Sequence, residues 1–434
     1  MPAPAQSPPA SVLASTEAPP YGSALSLLAS LFFTWGFITV INNTLLPHLR
    51  SVFVLDYTRT TLIESVWFIA YFVASIPSAK LIERIGYQKA IVVGLLVMAA
   101  GAGMMAPAAH LASYALVLSA LFTIASGITL LQVAANPYVT VIGPPQSGPA
   151  RLNLVQAFNS LGTTLAPLFA GYLILGRSKG GTAQPGIMLS QAERLADAQS
   201  VILPYLIVAA VLLVLALVMA RAHLPRIGHG TRRALPEDRK AMSLWRHRNL
   251  VWGAPAIFIY LIAEIGVANL FINFVSQPDI AALTHEQASR YLALLWGGMM
   301  VGRFLGSFLM RRFAAELVLA AFAVGAFAVV MVATFASGPT AMWSLILVGL
   351  FHSIMFPTIF TLGIRGLGPL TEEGAGLLIM AIAGGALVVA QGWLADTVGL
   401  QRSFLLTAAC EVYVLFYALW GSKPSNVLDA PEVR

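Results

Sequence analysis

The chain is built from apolar runs long enough to cross a lipid bilayer, separated by short polar or Gly- and Pro-rich breaks. An α-helix needs roughly 20 mainly apolar residues to span the hydrocarbon core. Runs of that kind lie at 25–47, 61–82, 89–106, 112–141, 152–175, 201–221, 250–274, 289–310, 315–336, 340–364, 374–395 and 402–421. Of the 434 residues, 58% are apolar and 10% charged, whereas soluble domains carry about 25% charged residues. A transmembrane β-barrel would alternate apolar and polar residues in short segments. The unbroken stretch VILPYLIVAAVLLVLALVMA at 201–220 does the opposite. The expectation is an all-α membrane protein with twelve transmembrane helices.

The remaining composition narrows the class. Residues 1–22 hold no Lys or Arg and no short apolar core, so they do not form a secretory signal. Their Pro, Ala and Ser content reads as a disordered tail. Cys410, the single cysteine, falls inside the last apolar run, which excludes an internal disulfide and leaves no thiolate pair for a metal. No cofactor is expected.

The formal net charge of +7 could suggest a nucleic-acid partner. The basic residues, however, crowd into one linker at 222–248, with Arg226, Arg232, Arg233, Arg239, Lys240, Arg246 and Arg248. Lys and Arg accumulate in cytoplasmic loops, and an even number of crossings puts both termini on one side. With the termini inside, Lys80, Arg84, Lys89, Arg151, Arg311, Arg312, Arg365 and Lys423 are cytoplasmic as well. The orientation expected is N-in and C-in, with membrane lipid rather than nucleic acid as the surrounding partner.

The linker divides the chain into bundles of six helices at 23–221 and 249–421, with a C-terminal tail at 422–434. Weak correspondences link the halves at a spacing near 220 residues: Pro137 with Pro357, Gly143-Pro144 with Gly368-Pro369, and Trp67 with Trp296. Parallel six-helix repeats place a substrate site between the halves near the midplane, opened to each side in turn by rocking.

Several motifs fit that scheme. Between the second and third runs, Glu83, Arg84 and Lys89 flank Gly86, whose freedom at positive φ permits a tight turn. The segment Ala79 to Lys89 resembles the loop motif of the major facilitator superfamily, with Ala79 and Glu83 where Gly and Asp are usual. A charge cluster there would latch the cytoplasmic side, together with Arg303, Arg311 and Arg312 of the second half. Gly298, Gly302 and Gly306 form a small-residue face suited to close helix packing.

Polar amides inside spans are costly unless they face a cavity or a partner helix. Gln132 and Asn136 are four residues apart, Gln156 and Asn159 three apart, so each pair shares a helix face. Amides both donate and accept, as a ring of sugar hydroxyls requires. Trp35, Phe158, Trp296 and Trp393 offer flat apolar surface for the C–H face of a sugar. The plainer alternative is interhelical hydrogen bonding for the amides and packing for the aromatics.

The stretches Leu31 to Phe37, Ala134 to Pro144, Arg151 to Gly162, Gly349 to Phe360 and Gly376 to Gly385 resemble the fucose/galactose/glucose symporter family of that superfamily. The resemblance covers nearly all twelve runs. It implies cation-driven uptake of a small sugar, glucose, galactose, fucose or an amino hexose, across a bacterial inner membrane by a multi-pass, monomeric chain. It also exposes a departure. The fucose branch titrates an Asp in its first span and a Glu in its fourth, and the matching positions here are Asn43 and Gln132. Amides carry no proton, so that pair cannot couple transport, although both can still bind hydroxyls.

Few acids remain within the spans. Glu264 lies deep in the seventh run, where an ionised carboxylate costs roughly 2.5 to 3.5 kcal/mol on insertion scales and is a functional candidate by default. The glucose/galactose branch also has a Glu there. Glu64 near the outer interface is a second candidate. Either could hold and release H⁺, or ligate Na⁺ with amide and backbone oxygens. Glu411 reads as structural, at the bundle's edge. His352, where the family more often has Asn, is a candidate sugar donor beside Pro357, which frees a backbone carbonyl. Asn269, Asn273 and Gln391 complete the set expected to line the cavity.

Other classes fare worse. A membrane-embedded enzyme would need clustered acid, base or metal groups, and the chain has no H-E-x-x-H, paired aspartates or G-x-S-x-G turn. No G-x-x-x-x-G-K-S/T loop supports nucleotide-driven pumping. An uncoupled facilitator and a sugar-sensing receptor stay open as alternatives.

Overall fold

The computed structural model describes residues 22–53, 57–111, 113–170, 202–225 and 243–424, with side chains except at 40–64, 167–170, 285 and 286. The side chains of Asn43 and Glu64 therefore lie outside the described residues, as do most of the expected linker and tails.

The described residues form twelve long helices and no strand. They are α1 Gly22–Phe53, α2 Tyr57–Ile85, α3 Tyr87–His110, α4 Tyr114–Val141, α5 Gly148–Ala170 and α6 Ile202–Arg221 in the N-terminal half. The C-terminal half contributes α7 Arg248–Val275, α8 His285–Leu309 and α9 Ala315–Phe335, then α10 Gly338–Gly363, α11 Gly368–Val398 and α12 Leu400–Gly421. Eleven of the twelve contain a stretch long and apolar enough to cross a membrane. The exception is α5, where Arg151, Asn153, Gln156 and Asn159 dilute the apolar character of the segment.

Antiparallel packing gathers the α2–α3 turn, the α4–α5 loop and the facing ends of α6 and α7 at one end of the bundle, called here the linker end. Side chains cap backbone there. Gln88 donates to the carbonyls of Met219 and Ala222, both at 2.8 Å. Asn249 donates to the carbonyls of Leu362, Gly363 and Arg365, which are the last acceptors of α10 and its turn. Gly86 takes φ 80° in the turn between α2 and α3, the conformation its position in the sequence demanded.

Small residues set the helix spacing. Gly162 of α5 faces the Phe33 carbonyl of α1 so closely that a Cβ would collide with it, and Gly349 of α10 faces the Leu295 carbonyl of α8 in the same way. Gly302 of the small-residue face on α8 likewise meets the Leu350 carbonyl of α10. Backbones can approach like this in a membrane only where side chains are absent.

The corresponding prolines behave differently. Pro137 sits inside an unbroken α4. In α10 the helix stops at His352 and resumes at Met355, two residues before Pro357. Proline lacks an N–H and its ring crowds the carbonyl four residues earlier, here Ser353. In α11 a 3₁₀ stretch, Ala381–Leu387, separates the helical pieces Thr371–Met380 and Val388–Val398. Within it Gly384 packs on the Phe258 backbone of α7 and Gly385 on the Phe68 ring of α2.

The two halves meet through α5 against α8 and α10, and through α2 and α4 against α11. The recorded meeting points run from the linker end, where Ala79 touches Gly376, to about the middle of α2 and α11, where Phe68 touches Gly385.

Candidate functional site

One face of α5 carries the polar seam between the halves. Ala150, Asn153, Gln156 and Ser160 are spaced by three, three and four residues, which keeps them on one side of a helix. Ser307 Oγ donates to the Ala150 carbonyl at 2.8 Å. Asn153 Nδ2 donates to Thr358 Oγ1 at 3.2 Å, and its Oδ1 is buried without a partner. Arg303 Nη1 donates to the Gln156 carbonyl at 3.1 Å and also to Ser160 Oγ. Arg303 Nε reaches the Ser353 carbonyl at 3.1 Å. The acceptor that Pro357 frees is therefore satisfied by a guanidinium rather than by an open cavity.

Glu264 stands beside this seam. Its carboxylate acts electrostatically on Arg303 of α8 and on the Tyr260 hydroxyl one turn earlier in α7. Glu264 is half-buried. Asn269 and Asn273, nearer the far end of α7, are exposed, and Gln156 is buried at the seam.

Three of the other amides are occupied within one half. Gln132 Nε2 donates to the Tyr71 hydroxyl at 2.6 Å, joining α4 to α2. Asn159 Nδ2 donates to the Phe32 carbonyl at 2.9 Å, joining α5 to α1. Gln391 is wholly buried, donates to Thr407 Oγ1 at 3.3 Å, and aims its unpartnered Oε1 at Gly266. Asn136 is fully buried with neither side-chain atom hydrogen-bonded. An orphaned buried amide costs about 1 to 3 kcal/mol.

His352 does not line the inter-half seam. Its Nε2 lies 2.8 Å from Glu411 Oε1 and its ring packs edge-on against Tyr260. Glu411, read from sequence as structural at the bundle's edge, is fully buried as the partner of that imidazole. Among the aromatics, Phe158 meets Phe304 across the seam with ring centroids 6.1 Å apart. Trp35 is buried against Phe32, whereas Trp296 and Trp393 are exposed.

The six expected gate residues separate into two groups. Arg303 is six residues inside α8, drawn there by the freed Ser353 carbonyl and the α5 backbone. Arg84, Lys89, Arg311 and Arg312 are exposed at the linker end, and Glu83 is half-buried beside them. A cleft of about 350 Å³ opens at this end between the halves, lined by Tyr87, Thr140, Thr361, Arg365 and Glu372 among others. Arg365 is tied to Glu316 at 2.6 Å.

Sequence reasoning did not single out Asn153, Ser160, Tyr260, Ser307 or Thr358. Asn153, Ser160 and Ser307 were legible in principle as small polar residues continuing the α5 face and the α8 glycine face. Tyr260 and Thr358 look like ordinary span residues.

A family model described as Major Facilitator Superfamily matches residues 27–388. The chain belongs to the major facilitator superfamily. As a member of that superfamily it is similar to the glucose/galactose transporter of Brucella abortus biovar 1, with 46% identity over 404 residues, 93% of this chain and 95% of that one. The crystal structure of the Escherichia coli fucose:proton symporter superposes with a TM-score of 0.84 at 33% identity, covering 93% of this chain and 99% of that one. A crystal structure of the transporter FucP in the outward conformation gives a TM-score of 0.83 at 33% identity, with the same coverage.

Proposed function

We propose that this superfamily member is a secondary active transporter that imports a small hexose-like sugar across a bacterial inner membrane by alternating access, with Glu264 as the coupling carboxylate. The observation that carries this reading is the polar seam that runs inward from the linker end of an otherwise apolar molecule. Arg303 bridges α8 and α10 to α5, and a half-buried carboxylate lies beside it. A cation and an acid within membrane-spanning helices persist only where function or mutual pairing offsets their cost. The names of the relatives supply the substrate class, a hexose such as glucose or galactose, and a proton as the coupling ion.

With both termini cytoplasmic, the linker end, where α5 meets α8 and α10, is the cytoplasmic gate. Arg303, Ser307 and Asn153 hold that gate, with Glu83, Arg84, Lys89, Arg311 and Arg312 at its rim. Asn269 and Asn273, exposed on α7, are the amides free to meet sugar hydroxyls, and Gln156 lies buried at the seam beside Arg303. Gln132 and Asn159 tie helices of the N-terminal half together around them.

Uptake of radiolabelled glucose and galactose into proteoliposomes, under imposed proton or sodium gradients, tests the proposal. Accumulation driven by the proton gradient supports it, and accumulation driven by sodium alone reassigns the ion at Glu264. A second reading, an uncoupled facilitator, draws on Asn43 and Gln132, neither of which titrates. Equilibration of sugar without accumulation under either gradient would establish it.

A further inference from the structure

A second acid lies buried in the C-terminal half. His352 Nε2 and Glu411 Oε1 are 2.8 Å apart, with 2% and 0% of the two side chains exposed. Glu411 Oε2 is buried with no hydrogen-bond partner. A neutral imidazole beside an ionised carboxylate carries one net negative charge. One further proton makes the pair neutral, either as an imidazolium donating to Oε1 or as a carboxylic acid donating to Nε2. An uncompensated charge is expensive in surroundings as dry as these.

The surroundings link this pair to the seam. From α7, Tyr260 donates its hydroxyl to the His352 carbonyl at 2.9 Å and lies in the field of Glu264, Arg303 and Glu411 together. From α8, Arg303 binds the carbonyl of Ser353, the residue next to His352 in the broken stretch of α10. On α12 itself the Cys410 thiol adjoins Glu411. The buried face of α9, packed along α12, brings only apolar side chains and Thr334, and α11 brings Gln391, bonded to Thr407. The one guanidinium thus contacts both α5 across the halves and the α10 backbone next to the pair.

We propose that the His352–Glu411 pair is a proton-binding site of the transport cycle, holding one proton while the linker end is closed and releasing it when opening admits water. The inference rests on the sugar-transport reading and adds a titrating site to Glu264. Only a proton moves, from the Nε2–Oε1 bond to an entering water, and back from water on return.

The test uses the full-length protein and Glu411→Gln in proteoliposomes. Glucose counterflow, which needs no net proton movement, is measured beside accumulation under a proton gradient and beside the pH profile of both. Glu411→Gln is expected to keep counterflow, to lose accumulation by about tenfold, within the usual range of a coupling free energy, and to flatten the pH profile. Unchanged accumulation with an unchanged pH profile overturns the proposal. Should Glu411→Gln fail to assemble, His352→Asn decides: a displaced pH profile supports the site and an unmoved one refutes it. Absence of counterflow in the unaltered protein would refute sugar transport itself. Infrared spectra of the purified protein then read the site alone, through a deuterium-sensitive carboxylic acid or imidazolium band that Glu411→Gln abolishes if the proposal holds and leaves intact if it fails.

Discussion

Arg303 Nε donates at 3.1 Å to the carbonyl oxygen of Ser353, the acceptor that Pro357, lacking an N–H, leaves without its helical partner. The same guanidinium donates through Nη1 to the Gln156 carbonyl and to Ser160 of the other half. A helix break in α10 thus becomes the anchor for a contact between the two bundles.

Replacement of Arg303 by Lys keeps the charge but not the fork. A compact ammonium cannot reach acceptors on α5 and α10 in the same fixed geometry. Hydrogen bonds to charged groups contribute about 1.5 to 3 kcal/mol each, so closure at the linker end is expected to weaken by about tenfold or more. Thiol labelling of Ser307→Cys in a Cys410→Ala background should rise in Arg303→Lys. Labelling equal to that of the Arg303 parent would contradict the assigned bridge.

Pro357→Ala is expected to act in the same direction by a different route. The new N–H competes with Arg303 for the Ser353 carbonyl, mending α10 while loosening the seam. Labelling at Ser307→Cys should increase without a fall in melting temperature. A fall in melting temperature with unchanged labelling would mean that the break serves only local packing.

Gly162→Val tests the close crossing of α1 and α5. The added carbons meet the Phe33 carbonyl, and overpacking of this kind costs about 1 to 3 kcal/mol. The purified protein should melt at lower temperature, whereas Gly297→Ala, which meets no atom within 4 Å, should leave the melting temperature in place.

The all-helical membrane architecture was readable because lipid demands long apolar helices, and nothing but composition decides that. The break in α10 was readable at Pro357, while its consequence was not, since no local rule says that Arg303 from another helix supplies the missing donor. The amides illustrate the limit more sharply. Gln132, Gln156 and Asn159 have the same chemistry in the same kind of span, yet Gln132 and Asn159 are engaged by Tyr71 and the Phe32 carbonyl, and Gln156 stands at the seam. Spacing along a helix fixes which residues share a face, not which neighbour that face meets. His352 and Glu411 are 59 residues apart in the chain, and only the packing of α10 against α12 and α7 brings them together.

Glucose accumulation driven by a proton gradient, compared between the unaltered protein and Glu264→Gln in matched proteoliposomes, tests the coupling role of the seam most directly. The expected result is that Glu264→Gln exchanges labelled for unlabelled glucose as the unaltered protein does but no longer concentrates it. Full accumulation by Glu264→Gln would contradict the assignment of Glu264 as the coupling carboxylate.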